Sequence, residues 1–499
     1  MSAPRSPSGE APAPQQGPPW PLIAVVATVL VVRLIVGAEV HLTEDEAYYR
    51  LWSMAPALGY YDHPPMIAWW IWLGRQLAGD TALGMRLVPI LAGAATTLLV
   101  FDLARTAGAG RRAATTAAVW FNAMPLVGVG GLLAVPDAPA SFFWTASLCC
   151  AVRAARRSSA SWWIGAGAAA GLACFSKYSG LFLAPGMLLW LALSPGGRTQ
   201  LGKPGPWIGA AVALLVFSRN VVWNAHHHWL TFAKQFGRVA PTHFAPWHLP
   251  EFLGEQFLLL NPLIAVVLVV GFASRRQRSG EGADLTPLIA TSAPFAAYLL
   301  LHSLHDQVQA HWPAPIYPAM AVCAGVAAER LAVAGAWTKL RLAAPVLGFA
   351  VFGVFCLCLI APARWWPRDF DPLLPLQGWS RFAGEVRQTA LGGGTVWIGT
   401  ASYGLTAQLA DEPLLKEPVL QLDERARYGS LPLALPDLSR PGLIVDLPRR
   451  VDLAALRRCF SFVGPEGSLA RGPPGGKATL YAAVQVAGAR RAVDRFGCW

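Results

Sequence analysis

The chain has 499 residues, of which 54% are hydrophobic and only 14% charged, with a mean hydropathy of +0.41. Soluble domains carry about 25% charged residues, so this composition excludes an ordinary soluble protein and points to an integral membrane one. The net charge of +12 does not indicate nucleic acid, because the basic residues fall in short clusters between apolar spans and not in a stripe interleaved with aromatics.

Residues 1–19 are rich in Pro, Ala, Ser and Gln and predict a disordered tail. Trp20 to about Ala38 is too long for a signal-peptide core and reads as a retained first helix. Apolar spans then recur near 82–103, 113–131, 139–152, 161–176, 179–194, 206–222, 253–272, 286–303, 313–329 and 342–361. The expectation is an α-helical polytopic membrane protein with about 11 transmembrane helices. Basic residues follow every even-numbered span: Arg105, Arg111 and Arg112; Arg153, Arg156 and Arg157; Arg198 and Lys203; Arg275, Arg276 and Arg278; Arg330, Lys339 and Arg341. Such loops face the cytoplasm, which predicts the amino terminus inside and the carboxy terminus outside. Residues 20–362 form the expected membrane domain, with a first outer loop at 39–81. Residues 363–499, with Pro-rich turns and runs such as Thr395-Val396-Trp397-Ile398, predict a small mixed α/β domain on the outer side.

The outer segments hold the polar chemistry. Directly after the first span stand Glu44, Asp45 and Glu46, followed by Tyr48 and Tyr49, then Tyr60-Tyr61-Asp62-His63-Pro64-Pro65. Carboxylates at a membrane edge are costly to desolvate, and a general base must be held near its acceptor in a partly dry site. On a helix Asp45 and Glu46 point about 100° apart, so only one can aim at a given atom. The ordinary structural role is also on view, since Thr43 and Glu46 form a capping-box pattern. Asp137, in Val135-Pro136-Asp137-Ala138-Pro139, is placed on the same side; by itself it is an ordinary turn residue.

Lys177, Arg219 and Arg238 are cations on that side, suited to a phosphate or to snorkelling toward lipid headgroups. Arg33, inside the first span, either snorkels outward or reaches the site. The run His226–His228 offers metal ligands or an interfacial belt, and His311, in His311-Trp312-Pro313-Ala314-Pro315, stands in a polar-aromatic segment suited to sugar contact. The clustered acids leave room for a divalent cation, while ordinary acid–base use fits as well. Six of the eight Cys lie in spans; Cys459 and Cys498 lie in the outer domain, where a disulfide and two free thiols are both open.

In order and sidedness these motifs resemble the membrane-embedded glycosyltransferases of the GT-C fold. More narrowly, residues 20–330 are similar to the bacterial family 39/83 group of protein O-mannosyltransferases and aminoarabinose–lipid A transferases. The resemblance is carried by Asp45-Glu46-Ala47-Tyr48-Tyr49, His63-Pro64-Pro65, Asp137, Trp223-Asn224 and Trp312-Pro313-Ala314-Pro315. It implies inverting transfer of a sugar from a polyprenyl-phosphate donor to an envelope acceptor (lipid A, polysaccharide or protein) at the outer face of a bacterial plasma membrane. Asp45 would be the base, with Glu46 and Asp137 orienting the acceptor or shaping the site. Lys177, Arg238 and His63 would meet the donor phosphate, and Tyr48, Tyr49, Tyr61, Asn224 and His311 the substrates. His63 stands where the aminoarabinose branch commonly has Lys. No nucleotide is implied, and no Gly-rich phosphate loop occurs. A transporter or lipid flippase using the acids as a proton relay is the alternative; it would keep ionisable residues deep in several spans and show repeated halves.

Overall fold

The computed structural model describes residues 19–237, 243–273, 282–331, 335–361, 373–429, 431, 436–473 and 477–490. The expected tail, Arg238, Arg275, Arg276 and Arg278, Cys498 and the domain boundary near 362 lie outside these residues.

Seventeen described helices precede residue 362: α1 (Trp20–Glu39), α2 (Glu44–Met54), α3 (Met66–Ala78), α4 (Ala82–Thr106), α5 (Arg111–Ala123), α6 (Pro125–Gly130), α7 (Asp137–Arg157), α8 (Ala160–Cys174), α9 (Leu183–Leu193), α10 (Pro195–Leu201), α11 (Pro204–His226), α12 (Leu230–Gly237), α13 (His248–Leu259), α14 (Pro262–Ala273), α15 (Thr286–His302), α16 (Tyr317–Leu331) and α17 (Gly335–Ile360). Among the described residues α1, α4, α11 and α17 are each long and apolar enough to cross a membrane. Two bent pairs raise the number to six: residues Tyr178–Leu193 with α10, at 116°, and α13 with α14, at 106°. The run read from sequence as one span at 113–131 is two helices, because Pro125 lacks the N–H that would continue α5. The run at 253–272 likewise breaks at Asn261, whose φ of 72° precedes Pro262.

The bundle packs on small side chains. Ala113, Ala114, Ala117, Ala118, Ala166, Ala173, Ala321 and Ala324 are all buried in one core with Trp120 and Trp144. Helices α8 and α11 touch so closely that a Cβ on Gly167 would lie 1.9 Å from the Gly209 carbonyl oxygen. In lipid, where apolar surface gains nothing by leaving the solvent, such close backbone contact is what drives association.

After residue 372 come α18 (Trp379–Gly392), β1 (Trp397–Thr400), α19 (Tyr403–Asp411), β2 (Val419–Gln421), β3 (Gly442–Asp446), α20 (Leu453–Cys459), β4 (Phe460–Arg471) and β5 (Thr479–Ala489). They build a mixed sheet of order β2-β1-β3-β5-β4, parallel across β2, β1 and β3 and antiparallel beyond. One face of the sheet packs Ile398, Leu443 and Val445 under Trp379 and Phe382 of α18; the other packs Trp397, Ile444 and Val484 on Leu456 of α20. This is the mixed α/β architecture expected from the sequence. Cys459 is disulfide-bonded.

The sheet unit does not stand apart from the bundle. Tyr48, Tyr49, Trp52 and Tyr60 of the first loop share one core with Ala407, Tyr428 and Leu431. Helix α19 therefore lies directly on α2, the helix that begins with the three acids.

Candidate active site

Thr43 starts α2. Its Oγ1 accepts the Glu46 N–H at 3.2 Å, and Glu46 Oε2 accepts the Thr43 N–H at 3.0 Å, a complete capping box. Glu46 is fully buried, and both its oxygens are also bonded to Arg86, at 2.7 and 2.6 Å, with Oε1 accepting the Ala134 N–H besides. Burial would raise its pKa, but the Arg86 guanidinium and the two N–H groups outweigh that and hold it below the usual carboxylate range. Glu46 is thus enclosed by protein atoms, whereas Asp45, one residue earlier, remains half-exposed.

Asp45 Oδ1 accepts a hydrogen bond from the Tyr403 hydroxyl at 2.9 Å. Burial, and then the neighbouring Asp45, push the Tyr403 phenol above its ordinary range, so it stays protonated and donates. Asp45, Glu44, Thr43, Arg86 and Tyr403 border a cavity of about 430 Å³ whose other walls are apolar, among them Val36, Leu132, Leu133, Phe355, Leu359 and Leu376. The cavity is amphipathic, with carboxylates at one side and a hydrocarbon-like lining at the other.

A second group lies at the same end of the bundle. Asp137 is the first residue of α7, and Lys177 sits in the ordered turn after α8, with its N–H bonded to Ala173 and its carbonyl to Gly180. Lys177 Nζ is 2.7 Å from Asp137 Oδ1, and His311 Nε2 is 3.7 Å from Asp137 Oδ2. His63 acts electrostatically on Asp137, and Asp45 on His311. Burial pushes the His311 imidazole down, only partly offset by Asp137, so it is mainly neutral near pH 7. Asp137, Lys177 and His311 meet directly, and His63 and Asp45 lie within electrostatic reach of them, although the five are spread over 267 residues of sequence from 45 to 311.

Other residues singled out from the sequence have different surroundings. Tyr48 is buried and donates to Asp62 Oδ2 and to the Arg427 carbonyl, both at 3.1 Å. Tyr49 is buried edge-on to Trp52 and His63. Tyr61 is flanked by Lys234 Nζ and the Arg427 guanidinium, each 5.5 Å from its ring. Asn224 is buried in a network with Tyr178 and Asn220, and Asn220 in turn donates to the Leu58 carbonyl, which ties α11 to the first loop. Arg33 neither snorkels nor reaches Asp45: it is buried, donating to the carbonyls of Val127 and Gly128 at the C-terminal end of α6. His227 stacks on Trp223 at 3.9 Å and bonds its carbonyl. Among the described residues no group of three or more His, Cys, Asp or Glu side chains is arranged to hold a metal ion.

The sequence reading missed the contribution of the carboxy-terminal unit. Tyr403 reaches Asp45, Arg427 pairs with Asp62 and Glu424, Gln408 bonds the Leu42 carbonyl and His41, and Asp411 pairs with Arg50 at 2.8 Å. Arg86 was also missed, although a charge one turn inside an apolar span is a signal in itself.

The profile of the dolichyl-phosphate-mannose-protein mannosyltransferase family matches residues 62–223, the stretch that carries His63, Asp137 and Lys177. The lipid A galacturonosyltransferase RgtD of Rhizobium johnstonii is 28% identical over 384 residues, covering 73% of this chain and 76% of that protein. The chain is a glycosyltransferase, similar in sequence to this family over that stretch. Among solved structures, the glycosyltransferase resembles apo ArnT from Cupriavidus metallidurans with a TM-score of 0.63 and 16% identity, over 93% of this chain and 97% of that one. ArnT bound to undecaprenyl phosphate gives 0.62 over the same shares. The Archaeoglobus fulgidus oligosaccharyltransferase gives 0.52 at 11% identity, over 92% of this chain and 74% of that one. At such identities the likeness speaks for a common fold, which extends through the carboxy-terminal unit of the glycosyltransferase.

Proposed function

We propose that this glycosyltransferase moves a sugar from a polyprenyl-phosphate donor to lipid A at the outer face of a bacterial plasma membrane, with inversion at the anomeric carbon. The observation that carries the reading is Asp45, on the wall of an amphipathic cavity, lying within electrostatic reach of the Asp137–Lys177–His311 group at one end of the bundle. The relative that modifies lipid A and the solved relative that binds undecaprenyl phosphate support the choice of acceptor and carrier.

In this reading Asp45 takes the proton from an acceptor hydroxyl as its oxygen attacks the anomeric carbon. The bond from that carbon to the donor phosphate oxygen breaks, and the polyprenyl phosphate leaves with the electron pair. Lys177 supplies the positive charge that the leaving phosphate needs, with His63 and the neutral His311 as neighbours. Arg238, outside the described residues, is a further cation for the same phosphate. Asp137 holds Lys177 and His311 in place. Glu46 contributes indirectly, by fixing α2 and hence the backbone of Asp45. The apolar walls of the cavity suit the hydrocarbon of a lipid substrate. The basic loops between spans, of the kind that face the cytoplasm, support an outer position for this end of the bundle.

The test is to express the protein in a bacterial host whose lipid A lacks the modification, and to weigh lipid A by mass spectrometry. The wild-type chain is expected to add one sugar mass, and Asp45→Asn, inserted at equal level, none. An unchanged lipid A profile with the wild type, in membranes that supply the native lipid carriers, would remove lipid A as acceptor; full activity of the Asn variant would remove Asp45 as base.

A further inference from the structure

We propose that Tyr403, supplied by the carboxy-terminal unit, is a positioning residue for sugar transfer that sets the direction of the Asp45 carboxylate. The inference rests on the reading of Asp45 as base and adds a second part of the chain to the reacting centre.

A carboxylate that removes a proton must present one oxygen to the acceptor, yet the terminal torsion of Asp is broad and permits many directions. The Tyr403 hydroxyl occupies Oδ1 at 2.9 Å and leaves Oδ2 for the acceptor. Tyr403 is itself held from several sides. The buried Asp446 carboxylate accepts the N–H groups of Ala401 and Ser402, both at 2.7 Å, and so fixes the turn from β1 into α19. The Tyr428 hydroxyl donates to the Tyr403 carbonyl at 2.6 Å. The Arg427 guanidinium lies 4.4 Å over the Tyr403 ring, and Tyr48 meets that ring edge-on at 5.4 Å.

Gly404 makes the approach sterically feasible. A Cβ there would come within 2.9 Å of the Glu44 Cβ, an atom fixed to the α2 backbone, so a larger residue would press α19, and with it the phenol, away from α2. The other ionisable groups facing Asp45 are Glu44 and Tyr49 on its own helix, and His311; Arg86 borders the same cavity. None of these is hydrogen-bonded to the Asp45 carboxylate among the described residues, so the phenol is what orients it.

The experiment uses the full chain in proteoliposomes, with the lipid extract of native membranes as donor source and purified lipid A as acceptor. Tyr403→Phe keeps the ring and its packing but removes the donor. It is expected to lower kcat about tenfold or more, with the KM for lipid A within about twofold. Tyr428→Phe is the control for docking, since it frees the Tyr403 carbonyl while sparing the phenol–Asp45 bond; its kcat is expected to fall far less at a similar change in Tm. Asp45→Asn separates the two claims. If Asp45→Asn is dead and Tyr403→Phe keeps its kcat, or raises only KM, the positioning role is overturned and the base stands. If Tyr428→Phe and Tyr403→Phe lose kcat equally, the hydroxyl matters only for docking and the inference fails. Activity in Asp45→Asn overturns the base itself.

Discussion

Arg86 embraces the carboxylate of Glu46, Nε to one oxygen at 2.7 Å and Nη2 to the other at 2.6 Å, with both side chains almost wholly buried. The same guanidinium donates to the carbonyls of Gly37, Val40 and His41, the end of α1 and the start of the first loop. One side chain thus joins α1, α4 and α2, and the acid beside Asp45 becomes part of the scaffold.

Arg86→Ala and Glu46→Ala are each expected to destabilise the protein by about 3–5 kcal/mol, since each strands a buried charge. The double variant should lose clearly less than the sum, because it leaves no unpaired ion. Thermal melts of the detergent-solubilised proteins measure all three; additive losses would mean the two residues act separately.

The same pair sets an acid limit. Glu46 has a folded-state pKa below its ordinary value, so its contribution is complete above the unfolded pKa of about 4.3 and disappears as pH falls through the lower, folded value. Melting temperature should therefore be insensitive to this group from neutrality down to about pH 5 and decline below it. In Arg86→Ala that Glu46-linked part of the decline should vanish. An identical acid profile in the variant would count against the pair as its source.

Arg427 joins the carboxy-terminal unit to the first loop through Asp62, 365 residues away in sequence, and through its stacking on Tyr403. Removing it leaves Asp62 buried without its cation. Arg427→Ala is expected to cost about 3 kcal/mol and to expose α19 to protease in limited digestion. Transfer should fall along with docking. A variant that resists protease as well as wild type would show that the remaining contacts suffice.

Lys177 tests the leaving-group role. If it neutralises the donor phosphate, Lys177→Ala should weaken donor binding about tenfold or more and slow transfer, with little effect on the KM for lipid A. Donor titration at fixed acceptor reads this directly. A change confined to acceptor KM would move Lys177 to the other substrate.

Some of these positions could be read from residue types because membrane proteins make charges expensive: Asp45, Asp137, Lys177 and His311 stood out as polar groups at the ends of apolar runs, and in the structure the last three are in contact while Asp45 acts on His311 electrostatically. What could not be read were choices that depend on distance. The capping-box pattern with Thr43 sets Glu46 apart from Asp45 in the sequence, but its pairing with Arg86, 40 residues on, could not be read there. Asn224, read as a substrate contact, is buried with its amide nitrogen donating to Asn220 and Tyr178. Tyr403 and Arg427 carried no periodic or motif signal, since their partners lie more than 350 residues earlier. Hydropathy found the apolar runs but was blind to bends such as those at Met124–Pro125 and Asn261, where a run long enough to cross is split in two.

The Tyr403–Asp45 bond spans 358 positions of the chain. A nascent protein that has threaded all its long helices into the bilayer still lacks the phenol, because α19 has yet to be made. Asp45 therefore waits without its partner until the sheet unit has emerged and settled on α2. Competence for transfer would come last in the life of the molecule, as a property of the finished chain, and a product cut short before residue 403 would occupy the membrane without consuming its lipid donors.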